Sequence, residues 1–235
     1  MRSLLTTILL ISVFGGLMCL DRVLIQAMIS RPIIVAPVIG LALGAPYAGL
    51  MIGAMLELFW IDRVPIGIYI PPNDSIAAVL AVSMAAQAGQ RSGAVGPELI
   101  ALSILLAIPC GLLVKKIDVK IIESNDRLSD QALEDAKTGD LRAIEFKVYA
   151  GLAKVFLVYT AFLFLSQMML IPLLIWGFPK LPAAAGSMLW MTYYFLPLLG
   201  IAVAIHTIKM RGAIPVFCVV FLIVAVALEV YHVVR

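Results

Sequence analysis

The chain has 235 residues, a mean hydropathy of +1.09, 63% hydrophobic side chains and only 13% charged ones. That is more apolar surface than a soluble domain can bury, so the sequence reads as an all-α polytopic membrane protein with no room for a sizeable soluble domain. That apolar surface makes a lipid bilayer the partner, and the net charge of +3 is small, with basic residues scattered over loops, which argues against nucleic acid.

Residues 4 to 20 form the first apolar segment. Met1-Arg2 ahead of it resembles a signal peptide, but no A-x-A-like cleavage site follows Gly15, so the segment is read as a retained span. Asp21 and Arg22 mark an interface or the mouth of a cavity. Leu20, Val23, Leu24, Ala27 and Met28 stand at helical spacing and predict a short amphipathic or membrane-edge helix that stops before Pro32.

Ile33 to Ile61 and Val64 to Ala88 are apolar enough for lipid. They are interrupted by Pro37, Gly40, Gly44, Pro46, Gly49, Gly53, Pro65, Gly67, Pro71 and Pro72, so broken helices are expected. Backbone freed at membrane depth is tolerated only against protein or a water-filled cavity, and such breaks point to a transporter's binding site. Gly40-x-x-x-Gly44 and Gly49-x-x-x-Gly53 flank Ala45-Pro46-Tyr47, predicting a tight hairpin that enters the bilayer and returns. The alternative is one kinked span.

Ser75 to Gln87 is rich in Ala and Val, Gly89 to Gly93 is a turn cluster, and Glu98 to Val114 is apolar with an expected kink at Pro109. Composition then changes: fifteen of the thirty-one charged residues lie between Lys115 and Lys147. This segment is expected as one charged cytoplasmic loop, with short helices over 130–137 and 140–147. Lys115, Lys116, Lys120, Arg142 and Lys147 near the span ends place it inside. Val148 to Trp176, Pro182 to Thr207 and Ala213 to Val234 read as three closing spans, with Lys209 and Arg211 again facing the cytoplasm. The chain is therefore one membrane-embedded domain, 1–235: a motif-bearing half 1–114, the charged loop 115–147 and C-terminal spans 148–235.

Between residues 15 and 90, Asp21, Gln26, Ser30, Arg31, Glu57, Asn73 and Asp74 stand isolated in apolar surroundings. An ionised Glu57 between Leu56 and Leu58 costs several kcal/mol unless paired or solvated. It is either a structural carboxylate hydrogen-bonded to unwound backbone, or a substrate ligand or proton carrier. Asn73 and Asp74 follow Pro71-Pro72, which holds them on a rigid extended break, either as a surface turn or as binding groups. Gln26 and Arg31 line the same cavity or anchor to headgroups. Asp62-Arg63 reads as an interfacial ion pair. Carboxylates and amides suit a neutral polyol, whose hydroxyls each give and accept a hydrogen bond. Cys19, Cys110 and Cys218 are far apart in apolar runs and read as small buried hydrophobes. Trp60, Trp176 and Trp190 look like interface-belt residues, and His206 like an interfacial one. No P-loop, nucleophile elbow, His-x-x-Glu-His spacing or Cys-x-x-Cys occurs, so no metal, cofactor or catalytic nucleophile is expected.

The stretches Leu20-Asp21, Gln26, Ile29-Ser30-Arg31-Pro32-Ile33, Gly40-Leu41-x-Leu43-Gly44, Gly49-Leu50-x-Ile52-Gly53-Ala54-x-Leu56-Glu57-Leu58, Val64-Pro65-x-Gly67 and Pro71-Pro72 resemble the IIC subunit of the mannose/sorbose family of bacterial phosphotransferase-system (PTS) sugar permeases. The match is dense from 15 to about 90 and weak beyond. The resemblance implies a multi-pass permease subunit of the bacterial inner membrane. It would bind a hexose-like sugar, work with a IID membrane subunit and soluble IIA and IIB proteins, and assemble as an oligomer. IIB would phosphorylate the sugar from a histidine, and the IIC subunit would not itself be phosphorylated. Carried over to this chain, the sugar-facing candidates are Asp21, Gln26, Glu57, Asn73 and Asp74. Three features depart from the pattern: Ala45 stands where an acidic residue is common, Asn73 stands where aspartate is expected, with Asp74 one place later, and the charged Asp62-Arg63 before Val64-Pro65 is unusual. The first two departures and the charged segment motivate a rival, a non-transporting membrane anchor or regulatory subunit that docks soluble PTS proteins. A membrane-embedded lipid enzyme is the weakest alternative, since paired-aspartate and His-rich motifs are missing.

Overall fold

The computed structural model describes residues 4–63, 67, 69–208, 215, 218, 219 and 221–223. Lys209, Arg211 and most of the closing span expected over 213–234 lie outside the described residues, as does most of Val64-Pro65-x-Gly67. Among the described residues all regular structure is helical: α1 (Leu4–Cys19), α2 (Pro32–Ala42), α3 (Pro46–Phe59), α4 (Asp74–Ser92), α5 (Pro97–Thr138), α6 (Leu141–Gly177) and α7 (Ala183–Ile208), with 3-10 turns at Leu20–Arg22 and Phe178–Lys180. Among the described residues four apolar stretches, Leu4–Arg22, Pro97–Thr138, Leu141–Lys180 and Ala183–Thr207, are long and apolar enough to cross a membrane.

The bundle is built around α4. Every residue from Ser75 to Gly89 is buried, and α1, α2, α3, α5 and α6 all pack on this helix. The cause is compositional: DSIAAVLAVSMAAQAGQRS carries no broad polar face, and its many Ala and Ser side chains let neighbouring backbones come close. A Cβ on Gly15 of α1 would lie 2.8 Å from a Val79 methyl, so α1 docks on α4 through bare backbone. Gln167 on α6 donates to the Ser12 hydroxyl at 3.0 Å, tying α6 to α1, and the Tyr47 and Tyr193 hydroxyls meet at 3.1 Å, tying α3 to α7. The helix runs to Ser92, so Gly89 to Ser92, expected in a turn, are helical; the reversal begins at Gly93, whose φ is 94°.

α2 and α3 form the expected helical hairpin, not a kinked span. Each starts with Pro at its first turn, where a missing N–H costs nothing. Gly44 at φ 71° makes the reversal, and the freed Leu43 carbonyl accepts from the Gln90 side chain at 2.6 Å. The arms close on glycine: a Cβ on Gly49 would sit 2.6 Å from the Ala36 carbonyl oxygen and 3.0 Å from the Gly40 Cα. With 11 and 14 residues the arms are about 16 and 21 Å long, short of the roughly 30 Å of hydrocarbon a bilayer presents.

Two expected elements are corrected. No amphipathic helix forms over 20–32; after the 3-10 turn the chain runs irregularly, with Gln26 and Met28 at positive φ, because the Asp21 side chain captures the local amides. The charged segment 115–147 is not a loop with two short helices. α5 runs unbroken through Pro109 and the charged residues for 42 residues, about 63 Å, and α6 starts at Leu141 after a turn at Gly139 and Asp140. Extending an existing helix avoids the cost of nucleating a new one. The ion pair of Lys147 with Asp135, and Lys154 donating to Ser124 and Asn125, tie α6 to α5 and hold the hairpin. Trp60, expected at an interface, is instead buried against Gly111 and edge-on to Phe59, whereas Trp176 and Trp190 are exposed. Cys19 is buried, but Cys218 is exposed, and neither it nor Cys110 is bonded.

Candidate functional site

The site is assembled where four elements are interrupted. Asp21, 6% exposed at the end of α1, accepts from the Ala27 amide (2.9 Å), the Ser30 amide (3.1 Å) and the Ser30 hydroxyl (3.2 Å). The loop 23–31 is therefore wrapped around a carboxylate, which offsets the cost of the left-handed backbone at Gln26 and Met28, about 1–2 kcal/mol each. Arg22 and Arg31 bracket this loop and fasten it to two helices. Arg22 meets Asp74, the first residue of α4, at 2.6 Å, and Arg31 meets Glu57 near the end of α3 at 3.2 Å. Glu57 also accepts from the Ile33 amide at 3.3 Å.

α4 begins at the end of the Pro71-Pro72 extended segment. Asn73 is its N-cap: the side-chain oxygen accepts from the Ile76 amide at 3.1 Å, while the side-chain amide donates to Asp118 at 3.2 Å. The break thus becomes a helix start, and Asp74 lies on the first turn of α4 instead of on extended backbone. There its charge is favoured by the helix dipole. Asp62 and Arg63 pair at 3.2 Å, and Arg63 also donates to the Tyr69 hydroxyl at 3.4 Å.

Between these groups lies a cavity of about 430 Å³, lined by Asp21, Arg22, Gln26, Met28, Ser30, Arg31, Arg63, Pro71 and Asp74. Of the five candidates read from the sequence, Asp21, Gln26 and Asp74 line it. Glu57 stands behind Arg31, and Asn73 is wholly buried beneath Asp74. Asp118 was not singled out by the sequence reading. It is 9% exposed on α5 and supports Asn73 from below. A signal for it exists: Gly111, Val114, Asp118 and Ile121, at helical spacing, are all buried, so the inward face of α5 continues into the charged segment with Asp118 on it. Arg22, read from the sequence as marking an interface or a cavity mouth, and Arg63, read as half of an interfacial ion pair, bring positive charge to the cavity beside its carboxylates. Among the described residues no three His, Cys, Asp or Glu side chains come together as a metal site. The cavity offers acceptors and donors in near balance, suited to a neutral, hydroxyl-rich molecule.

An all-helical bundle with several membrane-length helices, broken at a polar cavity, defines the class of a polytopic membrane transporter. The chain belongs to the EII-Sor family, the sorbose-specific IIC components of the phosphotransferase system, whose model matches residues 5–233. It is a multi-pass protein of the bacterial inner membrane and a PTS IIC permease component. It is 27% identical over 141 residues to the fructose permease IIC component of Bacillus subtilis (strain 168), an alignment covering 59% of this chain and 48% of the relative. The match thus spans about half the length of that curated relative. Two solved structures share the fold at 20% identity, each covered to 94% by the whole of this chain. One is described as a membrane protein (TM-score 0.72), and the other is the mannose transporter ManYZ in complex with microcin E492 (TM-score 0.62).

Proposed function

We propose that this chain binds a hexose-like sugar in the cavity between the 23–31 loop and the start of α4, and moves it inward for phosphorylation. The observation that carries the reading is that single ring of acceptors and donors, built from Asp21, Gln26, Asp74 and the arginines, at the breaks between α1, α2 and α4. The names of the relatives support the sugar class: one is a fructose permease component and another a mannose transporter, both for hexoses. Sugar hydroxyls compete with Arg22 for Asp74 and with Glu57 for Arg31, so occupancy loosens the ties that hold the loop. The short α2–α3 hairpin enters the membrane without crossing it. A IID membrane subunit completes the permease, which works as an oligomer, and IIA relays phosphate to IIB. A phospho-histidine on IIB then phosphorylates the sugar at the cytoplasmic face, and the new charge prevents its return through an apolar barrier.

The test is uptake of labelled fructose and mannose by cells expressing the chain with its soluble PTS proteins, with and without a IID partner, followed by assay of the sugar for phosphate. Phosphorylated sugar is expected only with the partner. Asp74→Asn, which weakens a charge-assisted hydrogen-bond site, is expected to reduce uptake about tenfold or more. No uptake despite membrane insertion and a demonstrated contact with IIB overturns the reading in favour of a docking role.

A further inference from the structure

Two more cavities continue from the sugar cavity toward the charged helical hairpin. A second, of about 270 Å³, shares Arg22, Gln26 and Pro71 with the first. A third, of about 370 Å³, shares Val23, Asn125 and Val155 with the second and reaches Leu128, Ala132 and Lys147 on the hairpin. The three form a row with common walls, and the wall between the first two is the residue already tied across it, Arg22 paired with Asp74.

The second cavity has its own chemistry. Asp118 lines it and is nine-tenths buried; one carboxylate oxygen accepts from Asn73, and the carboxylate also accepts from the Tyr159 hydroxyl. Tyr159, almost wholly buried, faces the same carboxylate. Asn125 lies further along α5, and Tyr69 presents an aromatic body beside Ile121 and Ile122. Acceptor, hydroxyl, amide and aromatic face together suit one polyol ring, with hydroxyls toward Asp118 and its C–H face on apolar walls.

We infer that this second cavity is a further sugar-holding subsite, which the hexose occupies after it leaves the first cavity and before it reaches the charged hairpin. The inference rests on the transport reading above. Arg22 is the moving wall: it lies within electrostatic reach of Asp118 as well as paired to Asp74, so when a sugar hydroxyl takes Asp74 the guanidinium has a second carboxylate to turn to. The sugar passes unphosphorylated, because a phosphate beside Asp118 would be repelled. Phosphate transfer therefore follows the second subsite.

Two cysteine reporters test this in a chain whose Cys110 and Cys218 are replaced by serine, in membranes of the cells used for the uptake assay. Met28→Cys reports on the first cavity and Ile122→Cys on the second, each read by the rate of maleimide labelling with and without saturating fructose or mannose. Sugar is expected to slow labelling at both, by about fivefold or more, the factor that a difference of roughly 1 kcal/mol in local occupancy produces. Adding Asp118→Asn is expected to abolish protection at Ile122→Cys and keep it at Met28→Cys. Tyr159→Phe serves as the second variant if Asp118→Asn does not reach the membrane. Protection at Met28→Cys alone in the otherwise unaltered chain overturns the second subsite and leaves the first standing. Protection at neither overturns the transport reading, and this inference with it.

Discussion

Asn73 is the residue at which the chain departs from the aspartate its family resemblance leads one to expect, and its surroundings give the reason. Its side chain must accept from the Ile76 amide on one side and donate to Asp118 on the other, all within a fully buried shell. An amide does both, whereas an ionised carboxylate only accepts and would place two anions 3.2 Å apart. Asn73→Ala should therefore lose the cap of the central helix and take from Asp118 one of its donors, at a cost of roughly 2–5 kcal/mol. Asn73→Asp should destabilise too, and the exchange Asn73→Asp with Asp118→Asn should recover most of the loss. Thermal unfolding of the four detergent-purified proteins checks this; an Asn73→Asp chain as stable as the parent sinks the account. Glu57 follows the same logic. Its need for a partner was readable from the sequence, but that the partner is Arg31 and the Ile33 amide depends on how α3 returns along the hairpin.

The α2–α3 hairpin was readable because glycine and proline act locally: Gly44 reverses the chain, and Gly40 and Gly49 bring the arms together. A methyl group at Gly49 meets carbonyl oxygen and backbone, which do not yield as a flexible side chain would. Gly49→Ala should cost about 1–3 kcal/mol, and Gly49→Leu should force the arms apart. Disulfide trapping between cysteines placed on facing turns of the two arms, with thermal unfolding beside it, reads both effects; trapping in Gly49→Leu as efficient as in the parent excludes the close contact. The segment 20–32 misled for the opposite reason. Its apolar spacing is helical, but Asp21 satisfies the Ala27 and Ser30 amides that a helix would need, and a side chain that competes for backbone is invisible to periodicity.

Across the molecule, α5 and α6 are longer than a bilayer requires, about 63 and 56 Å against the roughly 20 residues that span it, so their charged ends project together beyond the membrane. The positive-inside distribution predicts that this projection lies in the cytoplasm. A protease site inserted between Gly139 and Asp140, at the exposed turn, should be cut in inverted vesicles and resist protease added to sealed right-side-out ones. The reverse pattern would invert the orientation and the direction of the proposed sugar path.

The sequence by itself determined the class, the hairpin and the set of isolated polar residues, because hydropathy, glycine and proline act over a few residues and need no partner. Tertiary structure alone decided that the Ala-rich segment after Asn73 is the buried centre of the bundle, that Arg22 and Arg31 fasten one loop to α4 and α3, and that Asp118 belongs beneath the site. Each of these depends on residues far apart in the chain, where the charge of one group is compensated only by what the fold brings beside it.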